Sequence, residues 1–141
     1  IVLIDNYCDE TVLKLLSKRQ PKVKASIYLH KIDAAFQLDI EKHNLQYSVI
    51  NIHLFKKSRD RFLILDQKEV YHIGASLKDL GKKWFAFSKL NIDSKEIISR
   101  LEAQPQSQPY PQPYIVSTNV FSVLLKITTP NKTDITVKIT E

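Results

Sequence analysis

Residues 1 to 55 alternate between short runs that suit strands and segments that suit helices, and this order constrains the fold more than any other feature of the chain. Ile1 to Tyr7 opens on four apolar residues without a helical period, the mark of a buried strand. Asp9 is placed to cap a helix over Glu10 to Arg19. Its Val12, Leu15 and Leu16 share a face, Lys14, Lys18 and Arg19 favour its C-terminal end, and Pro21 stops it. From Val23 to Leu29 apolar and polar residues alternate with a period of two, which predicts a strand. A second helix is predicted over Asp33 to His43 and a third strand over Ser48 to Phe55. A β-α-β-α-β order demands parallel strands, right-handed crossovers and helices packed on the sheet faces.

Two further strands, Arg61 to Leu65 and Glu69 to Ile73, are joined by Asp66, Gln67 and Lys68, a hairpin-sized connection that makes the sheet mixed. Trp84 to Leu90 reads as another strand with its aromatics in the core, rather than as a base-stacking platform. A helix is predicted over Ser94 to Leu101, with Ser94 as N-cap and Ile97, Ile98 and Leu101 as its apolar side. The fold class is therefore α/β, a mixed sheet flanked by helices over residues 1–103. Residues 104–113, rich in proline and glutamine and uncharged, predict a semi-rigid extended linker. Residues 114–141 predict a β-hairpin appendage, marginal alone and in need of a surface to dock on.

No apolar run approaches the ~20 residues that a transmembrane helix needs, so no membrane partner is expected. The opening strand, with no initiator Met before it, predicts a chain that starts inside a longer protein. A single cysteine, Cys8, excludes an internal disulfide and makes a reducing, cytoplasmic setting the expectation. No His or Asn has a readable relation to Cys8, so a catalytic thiol is not expected. His30, His43, His53 and His72 lack paired ligand spacing, and neither a metal nor a cofactor is implied.

The net charge of +6 is concentrated: residues 53 to 90 hold nine Lys and Arg against four Asp and Glu. Such a cluster suits a polyanion or a phosphate ester, although a solvated basic face looks the same in sequence. Within it, Arg59 and Arg61 stand two apart at the entrance to a strand, so their guanidiniums are expected on one face as a fork for a phosphate. Asp66 sits at the far end of that strand, better placed to fix a turn. Gly74 allows close backbone approach, and Ser76, Lys78 and Asp79 follow; Arg61, Lys78 and the Ser76 hydroxyl are the expected phosphate ligands. The alternative is an exposed arginine pair beside a polar turn.

Arg59 to Asp66, followed by Val70-Tyr71-His72-Ile73-Gly74-Ala75-Ser76-Leu77-Lys78-Asp79-Leu80-Gly81-Lys82-Lys83, resembles the phospholipase D superfamily, and within it the small bacterial phospholipase D-like nuclease domains. The resemblance covers Ile1 to about Leu101. It implies a metal-independent phosphodiesterase in which a motif His attacks phosphorus, a motif Lys or Arg holds the non-bridging oxygens, and two motifs meet across a twofold axis, here in a homodimer. Carried over, the candidate catalytic positions are Arg59 at the nucleophile's place, Arg61 as the phosphate-holding cation and Asp66 as the motif carboxylate. Gly74, Ser76 and Lys78 complete the phosphate-binding set. Arg59 departs from the pattern, because a guanidinium stays protonated and cannot attack phosphorus. Two function classes follow: a nuclease-type phosphodiesterase disabled at Arg59, or a non-catalytic module for nucleic acid binding or dimerisation. A lipid substrate is disfavoured, since no stretch resembles a membrane-docking amphipathic helix.

Overall fold

The computed structural model describes residues 1–103 and the strand segments Val123–Thr128 and Asp134–Ile139. The chain divides into two units, Ile1–Ser107 and Gln108–Glu141. The expected linker, residues 104–113, lies outside the described residues, as do residues 114–122 and 129–133 of the expected tail.

In the first unit, β1 (Val2–Ile4), α1 (Glu10–Ser17), β2 (Ala25–Leu29), α2 (Ala34–Gln46) and β3 (Ile50–Leu54) follow one another in the alternation read from the sequence. The three strands are parallel, with β1 against β2 and β2 against β3. Next come β4 (Arg61–Leu65), β5 (Glu69–Ile73) and β6 (Phe87–Leu90), an antiparallel meander, and then α3 (Ser94–Glu102). β4 pairs antiparallel with β1, giving one six-stranded mixed sheet in the order β3-β2-β1-β4-β5-β6, flanked by three helices. In the second unit, β7 (Val123–Thr128) and β8 (Asp134–Ile139) pair antiparallel, Val123 opposite Ile139.

The two faces of the sheet are separated by the side-chain alternation of β1. Leu3 joins the larger core with Val12, Leu13 and Leu16 of α1, Phe36 and Ile40 of α2, and Ile27 of β2. Ile4 points the other way, to Tyr28, Ile97 and Leu101 beneath α3. Arg19 secures the first face. Its guanidinium donates to the carbonyls of Leu16, Val23, Ser48 and Val49, each at 2.8 Å, which closes the C-terminal end of α1 onto the starts of β2 and β3.

Asp9 and Asp33 cap α1 and α2, accepting from the backbone N–H groups of Thr11 and Phe36. α3 differs from expectation: its N-cap is Asp93, whose carboxylate accepts from Lys95 N–H, while Ser94 is buried and donates to the Gln67 carbonyl. A carboxylate one residue earlier reaches the N2 amide, and the serine is used to tie α3 to the β4–β5 turn. β6 also differs. It begins only at Phe87, and the expected core aromatics are divided: Phe85 packs on the larger core, Phe87 is 68% exposed, and Trp84 is fully exposed. The reason is position, because β6 is an edge strand and α1 and α2 cover the sheet over β1 to β3.

Candidate functional site

Strand directions bring the functional segments to one edge of the sheet. β4 runs against β1 with Ile4 opposite Phe62, and β5 runs against β4 with Arg61 opposite Ile73. The end of β1, the start of β4 and the end of β5 therefore meet. Open α/β sheets take ligands at such carboxyl ends of parallel strands.

Asp5, the first residue after β1, organises this edge. It is 1% exposed, and one of its oxygens accepts from the Ser76 hydroxyl at 2.7 Å and from Leu77 N–H at 3.0 Å. The other accepts from Tyr7 N–H at 3.0 Å and lies 3.6 Å from Arg61 Nε. That last distance makes an ion pair but is too long for a hydrogen bond, so the buried Nε of Arg61 is left without one. Ser76 then caps the 3₁₀ turn Leu77–Asp79, accepting from Lys78 N–H. Above the edge, the Arg61 guanidinium lies 5.2 Å and the Lys78 ammonium 5.8 Å from the centre of the Tyr7 ring, so both cations gather at one aromatic ring.

The connection from β3 to β4 is pinned to the same edge. Asn6 donates to the Ser58 carbonyl at 2.9 Å, and the Ser58 hydroxyl donates to the Asp60 carbonyl at 2.7 Å. Arg59 lies in this connection, exposed, with no hydrogen bond or ion pair among the described residues. β4 begins at Arg61, so the expected arginine fork on one strand face is not formed; one guanidinium is held by Asp5 and the other extends from the loop before it.

The remaining candidates separate. Ser76 is 3% exposed with its hydroxyl committed to Asp5, which makes it a positioning residue for the turn that carries Lys78. Gly74 does provide close backbone approach, but to the chain itself. Its N–H donates to the Ala86 carbonyl at 2.9 Å, and a Cβ there would meet the same oxygen at 3.0 Å. Asp66 lies at the opposite edge of the sheet. Asp66 and Gln67 have φ of 51° and 55°, and Lys68 N–H closes on the Leu65 carbonyl at 3.0 Å, a type I′ turn. His72 pairs with Phe62 across the strands and meets Asp60 at 3.8 Å, on the sheet face opposite Leu63 and the larger core.

Cys8 borders the network, its thiol 3.4 Å from the Asp5 carbonyl. Burial pushes the thiol pKa well up, Asp5 and Asp9 push it further, and Lys78 opposes them weakly. A thiol held protonated is no nucleophile. A hollow of about 620 Å³ opens on the other face, beneath α3, lined by Phe55, Lys57, Phe62, Ile97 and Arg100. It is mostly apolar, and Phe62 points away from Arg61 by strand alternation.

What this edge can do chemically is hold an anion. Arg61 and Lys78 gather at the Tyr7 ring, and Arg59 is exposed in the connection that leads into β4. Asp5, Asn6 and Tyr7, which hold the edge together, are absent from the residues singled out in sequence. Their only signal is a carboxylate directly after four apolar strand residues. Comparison with protein-family models, curated proteins and solved structures gave no match.

Proposed function

We propose that this edge grips the phosphodiester of a nucleic acid and, with Arg59 where a nucleophile is required, does not cleave it. The observation that carries the reading is the Asp5 network. A buried carboxylate holds Arg61 and the turn bearing Lys78, and both cations lie over one tyrosine ring. The scaffold is read as phospholipase D-like, a phosphodiesterase fold that works without metal. Two copies would bring their residues 59 to 79 together about a twofold axis, and β7 and β8 would belong to an appended β-hairpin. A strictly monomeric chain in sedimentation would count against the paired arrangement.

The test uses the full chain with a labelled oligonucleotide in EDTA, followed by anisotropy. Binding weakens steeply between about 50 and about 200 mM salt, and Arg61→Ala lowers the salt slope by about one with roughly tenfold weaker affinity. An affinity unchanged in Arg61→Ala would refute the grip. The scaffold has its own test in Arg59→His, expected to restore metal-independent cleavage. Failure of that variant to cleave any phosphodiester would remove the phospholipase D-like reading while leaving the binding reading in place.

A further inference from the structure

Residues 75–86 leave the site and return to it as a closed loop, shut by the Gly74 N–H to Ala86 carbonyl bond. Leu77 and Phe85 pack on the larger core and pin the loop at both ends. Gly81, at φ +77°, turns it. The segment between these anchors carries Lys78, Lys82 and Lys83 against one carboxylate, Asp79, which lies 4.0 Å from Lys83. Next to Lys83 stands Trp84, the only tryptophan of the chain, fully exposed although its neighbour Phe85 is packed inward. Phe87 and Leu80 are also exposed and border an apolar hollow of about 300 Å³ over β4 to β6. Leu63 and Ile73 put this loop on the same sheet face as Arg61.

We infer that loop 75–86 is a stacking arm for single-stranded nucleic acid: a base lies on the Trp84 ring while the adjoining backbone phosphates meet Lys82, Lys78 and Arg61. The inference rests on the phosphate grip proposed above and adds the class of strand. A solvated indole among lysines offers what a single strand needs, a flat π surface beside a cationic track. Duplex bases, already stacked on one another, offer no free face to it. Charge is what separates this occupant from a second copy of the chain at Trp84: a twofold contact centred on that ring would set Lys82 and Lys83 of two copies together, beyond the residues 59 to 79 that the proposed pair would share.

Because Trp84 is the sole tryptophan, its emission reports the contact directly. The full chain is titrated with a single-stranded oligonucleotide, with a duplex of equal length, and with inorganic polyphosphate, which has charge but no bases. The single strand is expected to quench Trp84 and to bind more tightly than the duplex, and polyphosphate to bind without quenching. Trp84→Ala should weaken single-strand binding by about 5- to 150-fold, and Trp84→Phe should restore most of it. The Trp84 side chain is solvated, so folding is not at stake in either variant. Emission unmoved by a bound single strand, or equal affinity for duplex, overturns the stacking arm while the grip stands if Arg61→Ala still weakens binding. No binding of any of the three, or indifference to Arg61→Ala, overturns both. A dimer in sedimentation that Trp84→Ala dissolves would assign the ring to a self-interface and overturn the inference.

Discussion

Asp5→Asn is the sharpest probe of how the site edge is built. The carboxylate accepts from three donors and faces Arg61 Nε, and an amide has one acceptor fewer. If the new NH₂ takes the place facing Ser76, the serine hydroxyl can accept from it and turn its own proton to the Tyr7 carbonyl, 3.3 Å away. Leu77 N–H is then stranded. If the NH₂ takes the other place, Tyr7 N–H is stranded and the amide faces Arg61 donor to donor. Either orientation leaves one backbone N–H without a partner, a cost of about 1–3 kcal/mol. Loss of the negative charge beside Arg61 adds about 1 kcal/mol, well below the value for a fully buried pair because the arginine side chain is 26% exposed. The expected destabilisation is about 2–4 kcal/mol, or roughly 10–20 °C in Tm for a domain of this size. The assay is urea unfolding followed by circular dichroism, since Trp84 is solvated before unfolding and makes a poor reporter. In an Arg61→Met background the same substitution should cost about 1 kcal/mol less. A destabilisation below about 0.5 kcal/mol, typical of a surface change, would refute the account of Asp5 as organiser.

Three further outcomes follow from the same geometry. Gly74→Ala should destabilise by about 1–3 kcal/mol in urea unfolding, because the new Cβ meets the Ala86 carbonyl at 3.0 Å and backbone has to move. Gln67→Gly should stabilise by about 0.5–1 kcal/mol, since a non-glycine side chain at φ 55° is strained in a type I′ turn; a drop in Tm would contradict that turn geometry. For Cys8, the folded state raises the thiol pKa above its ordinary 9.0, so its contribution is fully present below that pH and is lost as pH rises beyond it. Urea midpoints should therefore fall more between about pH 8 and about pH 10 in the parent chain than in Cys8→Ala.

The elements of the first unit were legible because they rest on local rules. The capping aspartate before α1, the period of two in β2, and four apolar residues at the chain start each act within a few residues of sequence. The parallel order of β1 to β3 followed from alternation alone, since helices of this length return the chain to the same end of the sheet. The short hairpin connection was legible too, with Asp66 taking the turn position its place at the strand end suggested. Misreadings arose where a local rule had two solutions. Asp93 and Ser94 can each cap a helix, and packing against the β4–β5 turn took the serine. The aromatics of residues 84–87 have a core-like composition, and only their place beyond the helix-covered strands leaves Trp84 in solvent.

The candidate site divides along the same line. Sequence determined that a basic segment with Arg61 and Lys78 would leave two adjacent strands, because those residues are within twenty of one another and strand geometry sets their directions. It also determined that Arg59 cannot act as a nucleophile, which is a property of the guanidinium itself. Only the tertiary structure decided what holds them. Asp5 and Ser76 are 71 residues apart, and they meet because β4 inserts antiparallel beside β1 and carries β5 with it. That contact turns an isolated aspartate after a strand into the group that holds the turn, the arginine and the Tyr7 backbone. No local signal encodes it, since a buried carboxylate is stable only once distant donors have been brought to it.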